Sequence, residues 1–112
     1  MPAQLRNTDL LILTMLTAGE RHGYAIRQDI TDHTNGELRL EAGNLYRALG
    51  KLLDEGLIEE SARRPAASRD DERRRYYRLS QAGRRVLAAE MMRMRDLVRL
   101  AESRKLIAPE RG

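Results

Sequence analysis

Residues 41–60 read EAGNLYRALGKLLDEGLIEE, and a change of period inside this stretch decides the fold. From Glu41 to Glu55, Leu45, Leu49, Leu52 and Leu53 with Ala48 form one apolar stripe at helical spacing, and Gly56 ends it. At about 100° per residue the opposite face carries Asn44, Arg47, Gly50, Lys51 and Asp54. After Gly56 the pattern turns extended, in Leu57-Ile58-Glu59-Glu60. A helix with a polar, partly basic face therefore runs through a single glycine into a strand.

Two further helices lie upstream. Asn7 and Thr8 are good capping residues ahead of the apolar run Leu10 to Leu16, which predicts a first helix from about Thr8 to Ala18. Its apolar residues cover most of its surface, so burial on more than one side, and hence a partner subunit, is expected. The run falls far short of the roughly 20 residues that span a bilayer, and it lacks a clear signal-peptide cleavage site. Gly23 to His33 reads as a second helix with Ile26 and Ile30 on one face, and Asn35-Gly36 marks the turn after it. Three short helices in this order suggest a helix-turn-helix.

Downstream, Arg75-Tyr76-Tyr77-Arg78-Leu79 reads as a second strand. Between the strands lie residues 62–74, with Pro65, five arginines and the acids Asp70, Asp71 and Glu72, which suggests a hairpin with a long, charged, mobile tip. Ser80 is placed to cap a last helix from Gln81 to Lys105, about 37 Å long at 1.5 Å per residue. Within it Leu87, Met91, Met94, Val98 and Ala101 form a heptad seam. A helix longer than a small domain can cover is expected to pack against another chain. The fold class is mainly α with a small β-hairpin wing (α+β), a winged helix-turn-helix followed by a long C-terminal helix.

Composition narrows the function. The chain has 112 residues, 34% of them charged, and no Cys, Trp or Phe. One domain is the expectation at this length. Without cysteine there is no disulfide framework, thiolate nucleophile or Cys-ligated zinc, and a cytoplasmic location is the neutral reading. Nineteen of the 21 basic residues are Arg, the exceptions being Lys51 and Lys105, and the pI is near 10.0. That makes polyanions the first partners to consider, although GC-rich coding produces the same Arg bias. His22 and His33, eleven residues apart, cannot share a metal along one helix. No carboxylate pair or histidine constellation supports catalysis. The expectation is a non-enzyme without metal or cofactor.

Specific local motifs now stand in order: His22-Gly23-Tyr24-Ala25-Ile26, Ala42-Gly43-Asn44-Leu45-Tyr46-Arg47-Ala48-Leu49, Asp54-Glu55-Gly56-Leu57-Ile58, and Tyr76-Tyr77-Arg78-Leu79-Ser80-Gln81-Ala82-Gly83. Together they closely resemble the PadR family of winged-helix transcriptional regulators, over about Leu10 to Leu87. Four places depart from the family pattern: Arg47 where proline is common, Asn44 where threonine is common, Glu41-Ala42 where a Ser-Pro start is usual, and Arg21 in place of a proline before His22. Three of these fall on the third helix and bear on sequence preference rather than on fold.

The resemblance implies a short regulator divided into a DNA-binding domain (residues 1–79), a C-terminal dimerisation helix (80–108) and a tail (109–112). It implies a homodimeric repressor that binds double-stranded DNA at an inverted-repeat operator and is released by a small-molecule effector. On the polar face of the third helix, Asn44, Arg47 and Lys51 suit either a major-groove contact or an ordinary solvated surface, and the resemblance favours DNA. Tyr24 and Tyr46 each suit a hydroxyl on phosphate or a core ring with its hydroxyl at the rim. Arg73, Arg74 and Arg75 are wing candidates for phosphate, with local pairing to the neighbouring acids as the alternative. Leu11, Met15, Leu87, Met91, Met94, Val98 and Ala101 are the expected dimer contacts. Met91, Met92 and Met94 suit seam packing better than a ligand-responsive surface, and the absence of Trp weakens the aromatic-stacking effector site known in some relatives. The rival reading is a winged-helix module that binds a protein instead of specific DNA.

Overall fold

The computed structural model describes residues 5–61 and 75–110. Four helices and three short strands follow one another as α1 (Asn7–Met15), a 3-10 turn (Leu16–Ala18), β1 (Arg21–His22), α2 (Gly23–His33), α3 (Ala42–Asp54), β2 (Ile58–Glu60), β3 (Tyr76–Leu79) and α4 (Gln81–Ser103). The order and type of the predicted elements hold, as does the winged helix-turn-helix class. The wing tip, residues 62–74, lies outside the described residues.

Two local expectations are corrected. The first helix starts one residue earlier than predicted and passes into the 3-10 turn after Met15. Its cap is neither Asn7 nor Thr8: Arg6 is the N-cap, and its backbone N–H donates to the Asp9 carboxylate at 2.9 Å. The sheet has a third member, because β1 pairs antiparallel with β3 through Arg21 with Tyr77 and His22 with Tyr76. The strand order is β1-β3-β2, with Ile58 opposite Leu79 and Glu60 opposite Tyr77.

The three later helices end alike but with different residues. After α2, α3 and α4 the chain passes through a left-handed residue, Asn35 (φ 53), Gly56 (φ 74) and Lys105 (φ 63), and a following N–H returns to a carbonyl of the last turn. These are Gly36 to Thr31 at 2.8 Å, Leu57 to Leu52 at 3.0 Å and Leu106 to Ala101 at 2.9 Å, the Schellman pattern in each case. At Gly56 the turn redirects the chain from α3 into β2.

The core gathers Leu10, Ile12, Leu13 and Leu16 from the first helical segment, Ile26 and Ile30 from α2, and Leu45, Leu49 and Leu52 from α3, closed by Leu57, Ile58, Tyr77 and Leu87. One chain thus buries most of α1, which packs on α2, α3 and α4. The encircling apolarity of α1 therefore needs no partner subunit to explain it. Leu11 and Met15 remain half-buried against the core. The seam of α4 divides in the same way: Leu87 is buried and Met91 and Met94 lean on the core, whereas Val98 is exposed and Ala101 half-buried. Beyond Met94 the helix runs off the domain, giving a particle 55 Å long and 25 Å at its thinnest.

Ser80 ties this projecting helix to the end of α3. Its Oγ donates to the Gly56 carbonyl at 2.7 Å and accepts from the Gly83 N–H at 2.9 Å, while its own N–H donates to the Leu57 carbonyl at 3.1 Å. The start of α4 is thereby fastened to the turn that ends α3.

Candidate nucleic-acid interface

The outer face of α3 begins with Asn44 and Arg47, both exposed and one turn apart. Arg47 Nη1 donates to Asn44 Oδ1 at 3.0 Å. That bond uses one guanidinium donor and the Asn44 carbonyl oxygen, and both side chains stay exposed. Among the described residues Arg47 forms no ion pair, so its charge is uncommitted.

Lys51 behaves differently. It lies on the same strip of α3, but its Nζ is 2.8 Å from Asp9 Oδ2, and the Asp9 side chain is only 4% exposed. In this arrangement the Lys51 ammonium is turned onto α1. Asp9 was missed in the sequence. An acid in the first turn of an otherwise apolar helix was the available signal, since a buried carboxylate needs a donor.

The two tyrosines separate as well. Tyr24, in the first turn of α2, is 62% exposed, whereas Tyr46 is 36% exposed and lies against the start of α2. A Cβ at Gly23 would stand 3.0 Å from the Tyr46 hydroxyl oxygen and 3.1 Å from its ring, so the missing side chain of Gly23 makes room for that ring. His22 caps α2, its Nδ1 accepting from the Ala25 N–H at 3.1 Å, with its ring edge-on to Tyr76 at 5.5 Å. Arg27 Nε donates to the Leu40 carbonyl at 2.8 Å, which fixes the segment leading into α3.

On the wing, Arg75 is exposed and its Nε is 3.4 Å from Glu60 Oε1. Arg78 forks between Glu59 at 3.0 Å and Glu20 at 3.9 Å. Arg73 and Arg74 lie outside the described residues. The wing base is therefore locally compensated, in contrast to Arg47 on α3. Tyr77, between these charges, has its pKa raised chiefly by burial, with Glu60 and then Tyr46 adding and Arg75 opposing.

An open groove separates the start of α1 from α3, lined by Leu5 to Asp9 on one side and by Leu40, Asn44, Arg47, Ala48 and Lys51 on the other. Among the described residues there is no cluster of three or more His, Asp or Glu able to hold a metal ion, and no helix long and apolar enough to cross a membrane.

Residues 12–89 match the transcriptional regulator PadR-like family. Over 80 residues the chain is 29% identical to an uncharacterized protein of Lysinibacillus sphaericus, covering 71% of each. The fold is similar to the crystal structure of a PadR family transcription regulator from Clostridium difficile, at 24% identity and a TM-score of 0.70 over 88% of this chain and 97% of that one. A transcriptional regulator from Clostridium thermocellum is similar at 23% identity and a TM-score of 0.70, over 86% and 87%. Bacillus subtilis PadR, solved in complex with operator DNA, is similar at 24% identity and a TM-score of 0.66, over 79% of this chain and 48% of that one. With the family match running from α1 into α4, the chain belongs to the PadR-like family of transcriptional regulators and is not an enzyme.

Proposed function

We propose that the protein is a homodimeric, sequence-specific DNA-binding repressor that places α3 of each subunit in a major groove. The observation that carries this reading is the exposed guanidinium of Arg47, free of ion pairs among the described residues and bonded to Asn44 on the first half of α3. A planar fork of donors presented from a helix suits the O6 and N7 edge of guanine, and the neighbouring amide suits adenine or a phosphate. Tyr24 offers its exposed hydroxyl to the backbone beside the groove, with Tyr46 closer to a packing role. Arg75, together with Arg73 and Arg74, reaches the adjacent phosphates after exchanging its contact with Glu60. The complex of Bacillus subtilis PadR with operator DNA supports the same use of the fold.

Residues 1–79 form the reading domain and 80–108 the dimerisation helix, with 109–112 as a tail. Leu97 and Val98 expose an apolar strip on the part of α4 that leaves the domain. A second copy covers it, with Ala101 and the free sides of Met91 and Met94 completing the contact and Leu11 and Met15 at its edge. Two-fold symmetry then sets an inverted-repeat operator with half-sites about 34 Å apart or a multiple of that. A small-molecule effector releases the DNA by changing the angle between the two reading heads, acting through α1 and α4. The protein works in the cytoplasm.

Titration of duplexes selected from a random library, at two salt concentrations, tests this reading. The apparent affinity is expected to fall steeply with salt, as counterions are released from the contacted phosphates. Binding that ignores salt, or no binding to any duplex, contradicts it and favours a protein-binding module.

A further inference from the structure

We propose that Lys51 is a positioning residue for the recognition helix: its ion pair with buried Asp9 sets the angle at which α3 presents Asn44 and Arg47, and Lys51 itself does not touch DNA. The proposal rests on the reading of α3 as the DNA-contacting element. Its grounds are geometric. Asn44, Arg47 and Lys51 occupy i, i+3 and i+7 on one strip of α3, so spacing alone makes all three equivalent. The structure separates them. Arg47 and Asn44 bond to each other and stay exposed, whereas Lys51 Nζ reaches 2.8 Å from the Asp9 carboxylate, a partner 42 residues earlier.

Asp9 cannot be left without that cation. Its side chain is 4% exposed, and the same Oδ2 accepts the Arg6 backbone N–H at 2.9 Å, so the carboxylate both starts α1 and holds α3. Swinging Lys51 out to a phosphate would strand a buried carboxylate, and removing one partner of such a pair is far more damaging than the loss of an exposed one. The pair also sits in the groove whose opposite walls are the first turn of α1 and the face of α3. Rotation of α3 about its axis, or sliding along α1, beyond the reach of the Lys51 stem breaks it. A single ion pair thereby converts the fixed position of α1 in the core into a fixed direction for Arg47.

Three variants measured against a library-selected duplex over a salt series test this: Lys51→Met, Asp9→Asn and the double variant. Each affinity is read well below that variant's melting transition. Both single variants are expected to weaken binding by about tenfold, the size of a typical coupling energy. The slope of log affinity against log salt should stay at the wild-type value, and the double variant should be no weaker than either single. Asp9→Asn keeps an acceptor for the Arg6 N–H and frees Lys51, so it guards against a Lys51→Met chain that fails to fold. A slope flattened by about one unit in Lys51→Met, with Asp9→Asn binding as well as or better than wild type, would make Lys51 a phosphate contact and overturn the proposal. Unchanged affinity in both single variants would overturn it too. If the wild-type protein binds no duplex in a salt-dependent way, the DNA-binding reading falls and takes this one with it, an outcome distinct from a changed slope.

Discussion

The α-carbon of Gly83 packs directly onto the carbonyl of Leu57, so that a Cβ at this position would overlap the oxygen. Gly83 lies in the first turn of α4 and Leu57 follows the turn that ends α3, so this contact brings the long helix against the end of α3. Replacing a helical glycine by alanine ordinarily favours the helix by up to about 1 kcal/mol. Here the clash is with backbone, which cannot rotate away. Gly83→Ala is expected to destabilise the protein by about 1–3 kcal/mol, seen as a lower urea midpoint with unchanged slope.

Ser80 makes the same junction through hydrogen bonds. Ser80→Ala removes the acceptor for the Gly83 N–H and the donor to the Gly56 carbonyl, in a site where the serine is 8% exposed. A loss of about 1–2 kcal/mol is expected on the same urea assay. Gln81→Ala, at an exposed neighbouring position, should leave the midpoint within about 0.5 kcal/mol.

Arg47→Ala should weaken binding to a selected duplex and reduce discrimination at one base pair by about 1–3 kcal/mol. Competition between the selected duplex and its single-base variants measures this. Because Arg47 is exposed and bonded only to Asn44 among the described residues, melting temperature should not move with it. Uniform weakening across all duplexes would reassign Arg47 to the phosphate backbone.

The buried Tyr77 makes the fold sensitive to alkali. Burial disfavours its phenolate, so its pKa in the fold lies above the ordinary 10.0. For a raised value the stabilising contribution is complete below the unfolded pKa and is lost as pH rises through it toward the folded one. Melting temperature is therefore expected to decline more steeply above pH 10 in wild type than in Tyr77→Phe. Parallel curves for the two proteins would contradict this.

The exposed run on α4 predicts assembly. Leu97 is 59% and Val98 46% exposed, so neither contributes much to the core of one chain. Leu97→Glu with Val98→Glu should convert a dimer to a monomer by sedimentation velocity at micromolar concentration, with the far-ultraviolet helical signal retained. A wild-type protein that sediments as a monomer would refute the dimer.

The elements were legible because each announces itself locally. The stripe from Leu45 to Leu53, Gly56 after it, and Ser80 ahead of a long proline-free run need only nearest neighbours to be read. What escaped depends on distant partners. The strand Arg21–His22 is too short to show alternation and exists only because Tyr76 and Tyr77 pair with it. Lys51 looked equivalent to Arg47 until Asp9 was brought beside it across the fold. Arg75 was expected to pair, if at all, with the acids Asp70, Asp71 and Glu72 beside it in sequence, whereas its partner, Glu60, comes from the other strand. The wrap-around apolarity of α1 pointed to a second chain, yet α2, α3 and α4 of the same chain supply most of that burial.

Selection of bound duplexes from a random library, read for half-site sequence and spacing, tests the central claim that paired α3 helices read DNA from a two-fold dimer. The expected result is an inverted repeat whose half-site centres lie one helical turn, about 10 base pairs, or a multiple of it apart, with one base position that loses its preference in Arg47→Ala. A selected pool with no enriched sequence, or a single unrepeated site indifferent to Arg47, would contradict it.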